Sequence, residues 1–291
     1  MKWFNTPMDK ISFLPLLVML NSCDHYGQLT VLAKLPKSLE ECSGMVSVQD
    51  AVWVVEDSGN PDEIYKVDYQ GKLIRTLKVK NAKNTDWEDL ARGENGALYI
   101  GDFGNNTSDR KDLVIYKLPD PDIEPGNKIE AQKIHFRYPE QNKFPPKKAR
   151  RFYDAEAFFY FQGWLYIITK NRAHPFPGTA RIYKVPAQKG HYEATLITDF
   201  PTCPEWATCQ ITSADISPDG KTIVLLSYGK LWKITDFTMD DFSKGAFTEL
   251  DLELRTQLES VCFADNNTLL LADERKRGTG RNLYIFPLEQ P

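Results

Sequence analysis

The chain has 291 residues, of which 42% are hydrophobic, and a formal net charge of −4. That length exceeds one small domain, but closed all-β folds take this much chain as a single unit. The acidic balance argues against nucleic acid as a partner, and the densest basic patch, Lys147, Lys148, Arg150 and Arg151, reads as a solvated loop.

At the N-terminus, Lys2 and Lys10 precede an apolar stretch from Ile11 to Leu20 that Pro15 interrupts. It is too short to span a bilayer and suits the core of a signal peptide over residues 1–22. Leu20-Asn21-Ser22-Cys23 resembles a bacterial lipobox. The resemblance implies export, lipidation of Cys23, a tether over residues 23–27 and anchoring to a membrane of the bacterial cell envelope. No other segment is long enough to cross a membrane as a helix, so residues 28–291 are expected to form one soluble, tethered domain.

Beyond the tether, Gln28–Leu35 alternates like a strand but has no local partner. Five openings then recur about every 50 residues: Cys42-Ser43-Gly44, Trp87-Glu88-Asp89, Ala155-Glu156-Ala157, Thr212-Ser213-Ala214 and Leu258-Glu259-Ser260. Each starts an apolar strand, and a continuous apolar second strand follows, such as Leu98-Tyr99-Ile100 or Ile223-Val224-Leu225-Leu226. Such runs suit strands packed on both faces. Third strands share an aromatic, at Tyr65, Tyr116, Tyr183, Trp232 and Tyr284, expected to pack between sheets. Fourth strands are read at 73–79, 131–138, 194–199 and 246–252. Ser217-Pro218-Asp219-Gly220 places Pro and Gly where a tight turn needs a fixed φ and then a positive one. The fifth repeat is one strand short, and Gln28–Leu35 is the spare strand that would complete it. The prediction is an all-β, five-bladed β-propeller of four-stranded blades, closed by its N-terminal strand.

Among the cysteines, Cys203 and Cys209 flank a loop that a local disulfide could close, whereas Cys42 and Cys262 fall in strands and read as buried free thiols. No cysteine or histidine spacing suggests zinc, and His135 sits in an alternating strand pattern as a structural residue.

In a propeller the first strand of each blade lines the central channel. Ser43, Glu88, Glu156, Ser213 and Glu259 would therefore converge on one axis. Three unpaired carboxylates there would repel one another strongly, and a hard cation is the simplest remedy. Calcium, which takes six to eight oxygen ligands in flexible geometry, fits better than magnesium.

This Ser-Glu-Glu-Ser-Glu set resembles that of the calcium-activated nucleotidase (apyrase) family of five-bladed propellers, in which one residue per blade holds a channel calcium. Glu56-Asp57-Ser58-Gly59 resembles that family's acidic turn. The family's Gly-rich loop with Lys and Trp is replaced here by Gly101-Asp102-Phe103-Gly104-Asn105-Asn106, and its arginine pair by Lys170-Asn171-Arg172. The chain also resembles predicted Bacteroidetes lipoproteins of unestablished activity. That resemblance runs through Glu56-Asp57-Ser58-Gly59-Asn60, Asn84-Thr85-Asp86-Trp87-Glu88-Asp89, the same Gly-rich segment and Tyr153-Asp154-Ala155-Glu156.

These motifs cluster at one rim, where Asp57, Asn60, Asp102, Asn105, Asn106, Arg110, Asp273 and Arg275 form a candidate binding surface. Asp86 and Asp154 each precede their Glu by two residues and would point the same way on an extended strand. With Lys170 and Arg172 they are the candidate catalytic groups. The expected function is a calcium-containing module that binds a small ligand or a protein through this rim. The alternative is a calcium-dependent hydrolase of nucleotides or other phosphoanhydrides.

Overall fold

The computed structural model describes residues 25–238 and 241–288. The predicted leader and the predicted lipidation site Cys23 lie outside the described residues. No helix among the described residues is long and apolar enough to cross a membrane.

The strands form five sheets arranged as blades, each built on four antiparallel strands. First strands are Cys42–Val48, Trp87–Arg92, Ala155–Phe161, Ser213–Ile216 and Leu258–Phe263. Each of them contacts the first strands of both neighbouring blades, so the five close a ring around the channel. The ring closes as expected: Leu29–Lys34 pairs antiparallel with Asn282–Pro287, the last strand of the chain. That pairing removes the exposed edge that blade five would otherwise present.

Second strands such as Ala51–Glu56 and Ile223–Ser227 are buried along their whole length, because each blade is covered on both faces by its neighbours. Accordingly the core divides into five clusters, one at each junction between blades. Each junction receives one third-strand aromatic: Tyr116, Tyr183, Trp232, Tyr284 and Tyr65 in turn. Burying a large apolar side chain of this kind contributes roughly 1.5–3 kcal/mol, so the aromatic repeat adds one such anchor to every junction. At the Pro-Gly turn, Gly220 adopts φ +71° and its N–H donates to Ser217 O at 2.8 Å.

The outer edges differ from the expectation. The predicted strand 131–138 is found in blade two at Gln132–Arg137, but an unpredicted short strand precedes it: Lys128–Glu130 pairs parallel with the fourth strand of blade one. Gly190–Glu193 likewise pairs parallel with blade two before Thr195–Pro201 joins blade three. These short strands cover edges that four-stranded blades leave open.

Candidate metal centre at the channel mouth

One local device builds the channel mouth. In blade one Cys42 pairs with Glu56 and Gly44 with Val55, leaving Ser43 as an inserted residue. Glu88, Glu156 and Glu259 occupy the same inserted position in blades two, three and five. A bulge of this kind re-aims the inserted side chain. All four residues line a cavity of about 250 Å³.

Blade four differs from the other four by one residue in register at this point. Ser213 pairs with Leu226, the place that Gly44, Asp89, Ala157 and Ser260 hold in the other blades. The counterpart of Ser43 is therefore Thr212. Their bonds agree: Ser43 Oγ donates to Trp87 O at 2.9 Å, and Thr212 Oγ1 donates to Leu258 O at 2.8 Å. Neither Thr212 nor Ser213 lines the cavity; Ser213 Oγ donates to Asp89 Oδ2 at 3.2 Å and accepts from Val261 N at 3.1 Å.

Asp89 is a structural pin that the sequence did not single out. Its carboxylate accepts from Leu90 N at 2.9 Å and from Phe158 N at 3.3 Å besides Ser213, so it ties blades two, three and four. Asp215 repeats the device toward blade five, accepting from Ile216 N and Phe263 N, each at 2.8 Å. The inner edges of the first strands carry N–H groups with no strand partner, and these carboxylates satisfy several of them.

Around the cavity the acids gather closely. Oxygens of Asp57, Asp86 and Glu88 lie within 4.8 Å of one another, as do those of Glu88, Asp154 and Glu156. Asp86 and Asp154 thus sit beside the glutamates that follow them. Burial, then Glu156 and Asp57, pushes the Glu88 carboxyl well above its ordinary range. Burial also pushes Asp57 up to about 6 and Glu274 up to about 9.

Two cations answer part of this charge. Lys170, only 4% exposed, pairs with Glu156, donates to Tyr228 OH at 3.0 Å and lies 3.9 Å from Glu259. Burial opposes its charge, but Glu156 and Glu259 more than offset that and hold its pKa well above the usual value. Tyr228 OH donates in turn to Glu259 at 2.6 Å. Arg172 donates to Asp154 at 2.5 Å, to Glu156 at 2.8 Å and to Asn106. No cation pairs with Glu88, whose carboxylate makes no hydrogen bond among the described residues.

The remaining rim residues divide. Asp57 and Asn106 line the cavity, and Asn60 braces Glu41, another lining residue, at 2.7 Å. Asp102, Asn105, Arg110, Asp273 and Arg275 do not line it. Asp102 is spent on Arg110 at 2.9 Å and on Asp86 N at 3.1 Å. Asn105 is a loop anchor whose N–H donates to Asp154 at 2.6 Å. Asp273 is consumed by Asn282 N and Tyr284 OH, each at 2.7 Å, and Arg275 pairs on the surface with Glu40 at 2.5 Å.

The sequence reading missed Tyr228 and Glu274, which line the cavity. Both directly follow a second strand, as Asp57 and Lys170 do. The signal was the repeat itself: one position after each second strand faces the mouth in blades one, three, four and five. The disulfide joins Cys203 and Cys209, while Cys42 and Cys262 are buried free thiols.

No protein-family model and no curated protein matches the chain. Solved structures do match in shape. The PQQ-bound aldose sugar dehydrogenase of Streptomyces coelicolor superposes with TM-score 0.52 at 11% identity, over 89% of this chain and 97% of that one. A gluconolactonase of Xanthomonas campestris gives TM-score 0.44 at 12% identity, over 82% of this chain and 69% of that one. Neither match supports a resemblance drawn from the short motifs, and at 11% identity the dehydrogenase match bears on the fold alone.

Proposed function

We propose that the protein holds a calcium ion at the mouth of its channel and binds a small anionic ligand there. The observation that carries this is Glu88: a buried carboxylate set against Asp57, Asp86, Asp154 and Glu156 with no cation of its own. The donor set is all oxygen, which suits a hard cation. Gly104 also fits, since a β-carbon there would fall on the carboxylates of Glu88 and Asp86. Glu88, Glu156, Asp86 and Asp57 would hold the ion, with Asp154 kept in place by Arg172 and Asn105. A bound calcium would supply a positive anchor for a ligand oxygen. Lys170 and Arg172 would then orient the anion from the side of blade three. A cavity of about 250 Å³ admits one small charged group, with the rest of the ligand lying outside.

A second reading, hydrolysis of a phosphoanhydride, is favoured by the meeting of several carboxylates with Lys170 and Arg172 at one cavity, which joins candidate proton acceptors to anion-stabilising groups. Export and lipid anchoring through Cys23 belong to the same proposal and rest on the N-terminal sequence alone. Membrane partition that is lost in Cys23→Ala would support them.

Calorimetric titration with calcium and magnesium tests the site. Saturable calcium binding that disappears in Glu88→Gln is the expected result, and absence of binding in folded protein refutes it. Phosphate release from nucleoside di- and triphosphates in calcium, abolished by EGTA and by Glu156→Gln, would establish the hydrolase reading.

A further inference from the structure

A cavity of about 1040 Å³ lies away from the channel, on the outer wall between blades one and two. Its walls come from the segment joining those blades and from their outermost strands. Lys83, Lys117, Lys133 and Lys189 converge on it, in a chain whose net charge is −4. Among the described residues Lys83, Lys133 and Lys189 have no carboxylate partner. The one acid lining this cavity, Glu130, instead accepts from Asn81 at 2.8 Å.

Two of the ammonium groups are held in place. Lys117 Nζ lies 5.4 Å from the centre of the Tyr99 ring, and Lys133 Nζ lies 5.9 Å from that of Tyr116. Cation–π contacts position a charge without neutralising it. His135 and His191 stack with ring centres 4.6 Å apart, brought together by the parallel pairing of Gln132–Arg137 with Gly190–Glu193. Both imidazoles also line a second cavity of about 440 Å³ that carries Lys111 together with the ion pair of Arg137 and Glu193. The two cavities therefore form one elongated groove with the imidazoles at its waist.

We infer that this groove binds a segment of anionic polysaccharide, with its carboxylates or sulfates on the four lysines. The shape asks for an elongated ligand and the charge for repeated anions. No Phe, Tyr or Trp lines the larger cavity, so charge rather than apolar contact dominates what it can recognise. Concavity excludes a flat membrane surface. Lysines supply point charges that suit anions spaced along a flexible chain, whereas a planar bidentate match would call for arginine. None of the groove residues lines the channel mouth, so the inference stands independently of the calcium proposal.

The test uses the full chain and calorimetry with four probes: an oligogalacturonate, a heparin oligosaccharide, inorganic polyphosphate and a single-stranded oligothymidylate. One or both glycans should bind best, more weakly as salt rises, and the carboxylate and sulfate arms identify which anion is read. Lys133→Glu with Lys189→Glu should weaken binding about tenfold or more, and Lys83→Glu alone severalfold. Lys221→Glu, at an exposed turn of blade four, should leave affinity unchanged. The inference is overturned if neither glycan binds, or if polyphosphate or oligothymidylate binds as tightly. It is equally overturned if the groove variants, with unaltered thermal melts, bind like the native protein.

Discussion

Glu88→Gln should change the stability of this protein in opposite directions with and without calcium. Carboxylate oxygens 4.8 Å apart repel by ~3–4 kcal/mol at an effective dielectric constant of about 20, and Glu88 faces several such neighbours. Partial protonation and cavity water reduce that, so removing the charge should stabilise the calcium-free protein by about 1–2 kcal/mol. For a domain of this size that raises Tm by ~2–6 °C. The sign with pH follows. Because the folded-state pKa of Glu88 lies well above the ordinary carboxylate value, the native protein keeps a proton that the unfolded chain releases. Native stability therefore falls as pH rises above that ordinary value, and the advantage of the variant widens up to the folded-state pKa. In calcium the order should invert: at a hundred times Kd the native protein gains about 2.7 kcal/mol and the variant little. Melts followed by circular dichroism in EGTA and in calcium, at pH 6 and pH 8, read all four terms. A variant that is destabilised equally with and without calcium would refute the reasoning, because Glu88 would then be an ordinary structural acid.

Asp89→Ala removes acceptors from Leu90 N, Phe158 N and Ser213 Oγ and leaves buried donors unpaired, so it should cost about 3–5 kcal/mol, read from chemical denaturation. Gly44→Ala would place a β-carbon 2.5 Å from Asp89 Cα and Leu90 N; neither backbone atom can yield cheaply, and a loss of about 3 kcal/mol is expected in the same assay. Burial raises the Asp215 pKa to about 7, so the native state binds the extra proton and stability should decline as pH rises from about 4 to about 7. Asp215→Asn should flatten that decline, and an unchanged pH profile would contradict it. Cys203→Ser opens a loop with a sequence separation of 6 and should cost about 2 kcal/mol, matched by reduction of the native protein.

The sequence determined much of this protein because a propeller is a repeat. Continuous apolar runs identified the second strands, the shared aromatic identified the third, and the strand missing from blade five identified Leu29–Lys34 as its partner. Those features are local and periodic, and burial on both faces of every blade imposes them. The acids at strand starts were legible for the same reason: Glu88, Glu156 and Glu259 mark equivalent positions. What only the tertiary structure decided lies across blades or depends on a one-residue shift. Ser213 and Thr212 are both small hydroxyl residues, and only the bulge shared by the other blades shows which is the counterpart of Ser43. Asp89 looked like one more acid in Trp87-Glu88-Asp89. Next to an inserted residue, strand parity no longer predicts facing, and Asp89 turns inward to bind the edges of blades three and four while Glu88 enters the cavity. Lys128–Glu130 and Gly190–Glu193 joined the preceding blade, because an unpaired edge takes whatever strand passes within reach, and periodicity carries no record of reach.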